Sequence, residues 1–178
     1  MEEIVFEAFS RALPHFFERE IRNILDDVSE RNLCGLLQVY LRQEISGTEI
    51  AVYHVDTEYN RKQQGQVKTI IDNDYKIITI SCDLLVHSRG EEVEHDNLLA
   101  LEMKKSKRPA KLKQDDKNRL IALTRRPMED LWGWNGTHPE HVCGYKVGIY
   151  MEVNSVMRVC YLERYRLGQL VDAWTVRF

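Results

Sequence analysis

Apolar residues first recur along the chain at helical spacing. Between Glu2 and Glu30 they fall at Ile4, Val5, Ala8, Phe9 and Leu13, then at Phe16, Phe17, Ile21, Ile24, Leu25 and Val28, which predicts amphipathic helix. Pro14 lacks the N–H that a helix interior needs, so a kink or a division into two helices is expected there. Leu33, Leu36, Leu37, Tyr40, Leu41 and Ile45 predict a further helix that stops near Gly47. Beyond it the period shortens. Ile50 to Val55 reads as a first strand with a polar end at Asp56-Thr57-Glu58-Tyr59-Asn60-Arg61, and Asp72-Asn73-Asp74 signals a turn. Ile77 to Val86 and Leu98 to Met103 read as two further strands joined by an acidic loop. Helical spacing returns at Leu112, Asp116, Arg119, Leu120, Leu123 and Thr124. Asp115 and Asp116 suit an early turn of that helix, and Arg125 and Arg126 suit its end. Such a helix is the crossover that lets the next strand run parallel to Leu98–Met103. Gly144 to Val153 and Val156 to Glu163, turning at Asn154-Ser155, predict a hairpin, and the tail to Phe178 is expected to close or cover the sheet edge. The pattern as a whole predicts an α/β fold: a central mixed β-sheet flanked by helices. It is expected to form one domain, with a helical front end over residues 1–48 and a sheet core with crossover helix and hairpin over residues 49–178.

Charge appears where buried strands should carry none. Asp83 interrupts one apolar run and Glu102 the other, with Lys104 two positions later. Burying a carboxylate without a partner is costly, so these residues are expected to meet. Side chains alternate along a strand, which puts Glu102 and Lys104 on one face roughly 6.6 Å apart. Asp83 shares parity with Thr79, Ser81, Leu85 and His87, the more polar of its strand's two faces. If the strands are neighbours, two carboxylates and an ammonium converge. Oxygen ligands suit Mg²⁺ or Mn²⁺, and the lysine can orient or help deprotonate a metal-bound water. A buried ion-pair network with a structural role accounts for the same three residues.

Asp83 followed after a gap by Glu102-x-Lys104 resembles the signature of the PD-(D/E)XK nuclease superfamily, whose members share the restriction-endonuclease-like fold. The longer string VDTEYNR, CDLLVHSRG, NLLALEMKKS, DDKNRLIALT and GYKVGIY is similar to an uncharacterised branch of that superfamily, over roughly residues 50 to 152. Cys82 stands where the named motif has proline, a residue that shapes the turn and holds no metal. The resemblance implies a metal-dependent nuclease hydrolysing phosphodiester bonds, with DNA the expected substrate. Asp83, Glu102 and Lys104 would be catalytic. Mg²⁺ or Mn²⁺ would be held by Asp83, Glu102, the backbone carbonyl of Met103 and an added acid, Glu58 or in reserve Glu44. Asp116 and Lys117 fall at a recurring polar pair without an assigned role. The alternative is a catalytically inactive module of the same fold that binds nucleic acid or a protein partner.

Composition narrows the partners. With 178 residues and 43% hydrophobic content the chain suits one globular domain. A formal charge of −3 argues against coating DNA by bulk electrostatics, so nucleic acid would need a local patch. Lys104, Lys105, Lys107, Arg108, Lys111 and Lys113 form the densest basic stretch, beside the expected metal site. They are read either as a phosphate-binding patch or as a solvated loop. His87 and Arg89 either face the same cleft and contact phosphate or are exposed turn residues. Trp132 and Trp134 suit base stacking or the anchoring of a loop, and His138, His141 and Cys143 lack the second cluster that a zinc site needs. Four scattered cysteines suggest buried thiols. An acidic N-terminus and the lack of a long apolar run lead to the expectation of a cytoplasmic protein without a membrane span. Cutting both strands of a duplex takes two active sites, which points toward a homodimer.

Overall fold

A computed structural model describes residues 1–59, 82–92, 95–126 and 143–178, and the backbone of 69–71 and 77–79. Helix α1 (Glu2–Leu25) and helix α2 (Glu30–Ser46) pack together on one face of a sheet. Strands β1 (His54–Thr57), β2 (Thr69–Ile71), β3 (Ile77–Thr79), β4 (Leu84–His87) and β5 (Asn97–Lys105) follow. Helix α3 (Ala110–Thr124) leads to β6 (Val147–Asn154), β7 (Val159–Arg166) and β8 (Gln169–Arg177). Six strands form the main sheet in the order β1-β4-β5-β6-β7-β8, while β2 and β3 make a separate antiparallel ribbon. The pair β5–β6 is parallel and the other neighbours are antiparallel, so the fold is α/β with a mixed sheet. As the spacing predicts, α3 is the crossover between the two parallel strands. No helix among the described residues is long and apolar enough to cross a membrane.

Four expectations need correction. Helix α1 runs undivided through Pro14, which lies on its exposed side. There the carbonyl of Ser10 that loses its partner can be hydrated, and Leu13, Phe16 and Phe17 remain buried on the other side. Ile50 to Tyr53 is a turn, closed by Tyr53 N–H to the Ile50 carbonyl at 3.0 Å, because Ile50 and Tyr53 both enter the core three positions apart; β1 starts only at His54. The run Ile77–Val86 is two strands, in different sheets. Asp115 and Asp116 miss the first turn of α3, which begins at Ala110. The tail is β8, an edge strand bonded along β7. Trp132, Trp134, His138, His141, Asn60, Arg61 and Asp72-Asn73-Asp74 lie outside the described residues.

The two faces of the sheet are packed by different helices. Leu84, Val86, Leu99, Leu101, Met103, Ile149 and Met151 meet α1 and α2 through residues such as Phe9, Phe16, Leu37 and Leu41. Leu85, Ala100, Tyr150 and Tyr165 meet Leu120 and Leu123 of α3. Gly148 sets how close α3 comes: a Cβ there would lie 2.9 Å from Thr124 Cγ2 and 3.2 Å from Tyr165 Cβ.

Candidate functional site

Alternation along β5 sends Ala100, Glu102 and Lys104 toward α3, and Leu101, Met103 and Lys105 toward α1 and α2. Asp83 sits at the bend that opens β4, and its Oδ2 accepts the Met103 N–H at 2.8 Å. Its carboxylate thus replaces a backbone carbonyl at the end of the β4–β5 ladder. This explains why the ladder starts at Leu84.

Glu102 is 1% exposed, and its carboxyl group lies against that of Asp83. Arg119 reaches across from α3, Nε donating to Glu102 Oε1 at 2.6 Å and Nη2 donating to Asp116 Oδ1. Lys104 Nζ stands 2.8 Å from Asp116 Oδ2 and 3.8 Å from Asp83 Oδ2, and donates to the Met103 carbonyl at 3.2 Å. The cluster therefore joins Asp83, Glu102, Lys104, Asp116 and Arg119. Asp116 and Arg119 are one helical turn apart, on the stretch of α3 that crosses back over β5. The sequence pattern places both on a helix. That Arg119 belongs to the site is legible only once the crossover returns α3 to the strand carrying Glu102.

Electrostatics divide the roles. Burial, and after it the charge of Asp83, pushes Glu102 up to about 8 against the pull of Arg119. Burial also raises Asp83, while the Met103 N–H opposes the shift. Both shifts run in the direction that favours protonation, the cost of placing two buried carboxylates side by side. Burial pulls Lys104 down, but Asp116 and Asp83 outweigh it and hold the ammonium above its ordinary value. Arg119 is raised in the same way: burial works against its charge, and Glu102 and Asp116 prevail.

The other predicted residues are dispersed. Glu58 is tied to Asp83 through its backbone, its N–H reaching the Asp83 carbonyl at 3.4 Å, while its carboxylate pairs with Arg31 at 2.8 Å. Glu44 is paired with Arg11 at 2.8 Å. His87 is buried, with Nε2 3.0 Å from Asp56 Oδ2 and Tyr59 packed on its ring, so it offers no donor at the surface. Arg89 is more exposed and grips the same Asp56 with two bonds of 2.8 and 2.7 Å. Lys105, expected beside the metal site, passes to the opposite face of the sheet and binds Asp27 at 2.7 Å. Lys107 also pairs with Asp27, and Arg108 with Glu30 at 2.9 Å. These acids close the α1–α2 junction, so the basic stretch clamps that junction to the end of β5. Lys111 is exposed on α3.

Two further ion pairs extend the polar face beyond the cluster. Lys113 meets Glu152 at 2.8 Å and Lys117 meets Glu163 at 2.6 Å. The N-terminal half of α3 is thus docked by charge and its C-terminal half by Leu120 and Leu123.

Among the described residues no group of three or more His, Cys, Asp or Glu side chains is arranged to hold a metal ion. The donor chemistry is that of oxygen ligands, which suit Mg²⁺ or Mn²⁺: the carboxyl groups of Asp83 and Glu102 lie side by side, and Lys104, which faces Asp83, also reaches the Met103 carbonyl. Asp116 Oδ2 is buried and makes no directed hydrogen bond, although the Lys104 ammonium is close. Set against family models, curated proteins and solved structures, the chain matches none.

Proposed function

We propose that this chain is a metal-dependent nuclease that hydrolyses phosphodiester bonds, with DNA as the expected substrate and a restriction-endonuclease-like fold. One observation carries the reading. The acid at the mouth of β4 and the Glu102-x-Lys104 strand beside it meet on one sheet face, under a crossover helix that makes the next strand parallel. The resemblance of the sequence to the PD-(D/E)XK superfamily implies that same arrangement. Asp83, Glu102 and the Met103 carbonyl would hold Mg²⁺ or Mn²⁺, which supplies Lewis-acid polarisation of the phosphate and a more acidic water. Lys104 orients the attacking water and offsets charge developing on the phosphate. It acts as an ammonium and not as a base, because its carboxylate neighbours keep it protonated. Asp116 holds Lys104 in place.

The test is cleavage of supercoiled, linear and single-stranded DNA, with RNA in parallel, in the presence of Mn²⁺. Asp83→Ala and Lys104→Ala are expected to lose at least about 10²-fold in rate while their circular dichroism stays native. Full activity in either folded variant would overturn the assignment.

A second reading is favoured by the pairing of Lys105, Lys107 and Arg108 with Asp27 and Glu30, which neutralises the basic stretch beside the site. It makes the chain a catalytically inactive module of the same fold that binds nucleic acid or a protein partner. That reading expects no cleavage by the wild type and partner binding that Asp83→Ala leaves intact.

A further inference from the structure

The sequence assigns Arg119 no role beyond helical spacing, yet its Nε donates to the buried Glu102 carboxyl group at 2.6 Å. We propose that Arg119 is a built-in counter-cation, seated on Glu102 where a divalent ion would bind and displaced when that ion enters. The inference rests on the metal-site reading above.

The geometry separates the two cations of the cluster. Lys104 is held by Asp116 at 2.8 Å, by the Met103 carbonyl at 3.2 Å and by Asp83 at 3.8 Å, and its side chain is 15% exposed. Among the described residues Arg119 is held by Glu102 and Asp116, and its side chain is 26% exposed. When Arg119 leaves, neither acid is stranded: Asp116 keeps Lys104, and Glu102 gains the ion. Removing Lys104 instead would leave Asp116 buried with Arg119 as its one cation among the described residues, and would empty the space between Asp83 and Asp116.

Coulomb repulsion supplies the coupling. A divalent ion and a guanidinium on one buried carboxylate repel strongly at the low effective dielectric of such a site, so both do not remain. The arrangement also accounts for the carboxylates not being gathered for a metal. Asp83, Glu102 and Asp116 are spread around two protein cations, Lys104 and Arg119, and not around one ion. Once released, the planar guanidinium remains within a side-chain length of the site and presents paired donors suited to a phosphate. Arg119 is thereby a positioning residue that exchanges an internal carboxylate for an external anion.

The experiment is calorimetric titration of MnCl₂ into the full chain, for wild type, Arg119→Gln, Arg119→Lys and the double variant Asp83→Ala/Arg119→Gln, with each fold checked by circular dichroism. Arg119→Gln is expected to bind Mn²⁺ at least about tenfold more tightly than wild type, a change of roughly 1.4 kcal/mol. Arg119→Lys, which keeps the charge, should stay within about threefold of wild type. Asp83→Ala should remove the gain. Should Arg119→Gln not fold, Arg119→Met retains the apolar stem and is read in the same way. Binding only after Arg119 is neutralised would support the inference in its strongest form. Equal or weaker binding in the folded glutamine variant, with clear binding by wild type, overturns the role of Arg119 and leaves the metal site standing. No Mn²⁺ binding by either protein overturns both.

Discussion

Toward α1 and α2 the sheet presents Leu84, Val86, Leu101, Met103, Ile149 and Met151; toward α3 it presents Asp83, Glu102, Lys104, Tyr150, Glu152 and Glu163. The first face is held by apolar burial, which is non-directional and tolerates repacking of similar volumes. The second adds to its apolar contacts with Leu120 and Leu123 a set of ion pairs, which are directional and break even only when each charge finds its partner. Stability is therefore expected to come chiefly from the first face. The chemistry proposed above belongs to the second, where opposite charges are concentrated and their protonation is shifted. A strand such as β5 serves both at once, because its alternate side chains belong to different faces.

Removing apolar volume from the first face should have the largest effect. Phe16→Ala is expected to cost about 3–5 kcal/mol in urea unfolding, while the proposed nuclease activity, per folded molecule, stays at the wild-type level. A loss below about 1 kcal/mol would break the division of labour between the faces.

Tightening the second face comes next. Gly148→Ala brings a methyl group against Thr124 and Tyr165, whose branched or ring-bearing side chains are packed between α3 and β7. Displacing α3 from β6 is expected to cost about 1–3 kcal/mol, and it should lower the rate of the proposed cleavage too, since Asp116 and Arg119 ride on that helix. Unchanged stability and rate together would mean that α3 is not rigidly seated.

The pH dependence of stability isolates Glu102. Its folded value near 8 stands above the ordinary 4.5, so between those limits the folded chain keeps a proton that the unfolded chain has lost. Stability should consequently fall as pH rises from 4.5 to about 8 and level off beyond it. Thermal unfolding in the presence of EDTA should show a decline of several degrees across that window, and Glu102→Gln should flatten it. A slope that persists in the glutamine variant would assign the proton elsewhere.

The smallest effect is expected at the basic clamp. Arg108 is half exposed, and its pair with Glu30 is partly screened, so Arg108→Ala should cost no more than about 1 kcal/mol. If the same substitution weakens DNA binding, measured by fluorescence anisotropy at low salt, the residue leaves Glu30 for phosphate. Unaltered binding confines it to the clamp.

Periodicity made most of the architecture legible. The helical spacing from Ile4 to Val28 and from Leu33 to Ile45 found α1 and α2, and the change of period found β5, the crossover α3 and the C-terminal strands. It failed where a tertiary partner outweighed local pattern. Ile50 and Tyr53 turn because both are drawn into the core, and the β4–β5 ladder begins only at Leu84 because the Asp83 side chain takes the Met103 N–H.

The sequence by itself determined which residues are anomalous: acids in apolar strands and a lysine two positions from one of them. The cost of burying charge requires such residues to meet, whatever the details of the fold. Only the tertiary structure decided what else they meet. Arg119 and Asp116 join the cluster because a parallel connection returns α3 over β5, whereas Lys105 is removed from it because strand alternation sends neighbouring side chains to opposite faces. Composition and spacing count the charges, and the direction in which each Cα–Cβ bond points determines which of them share a site.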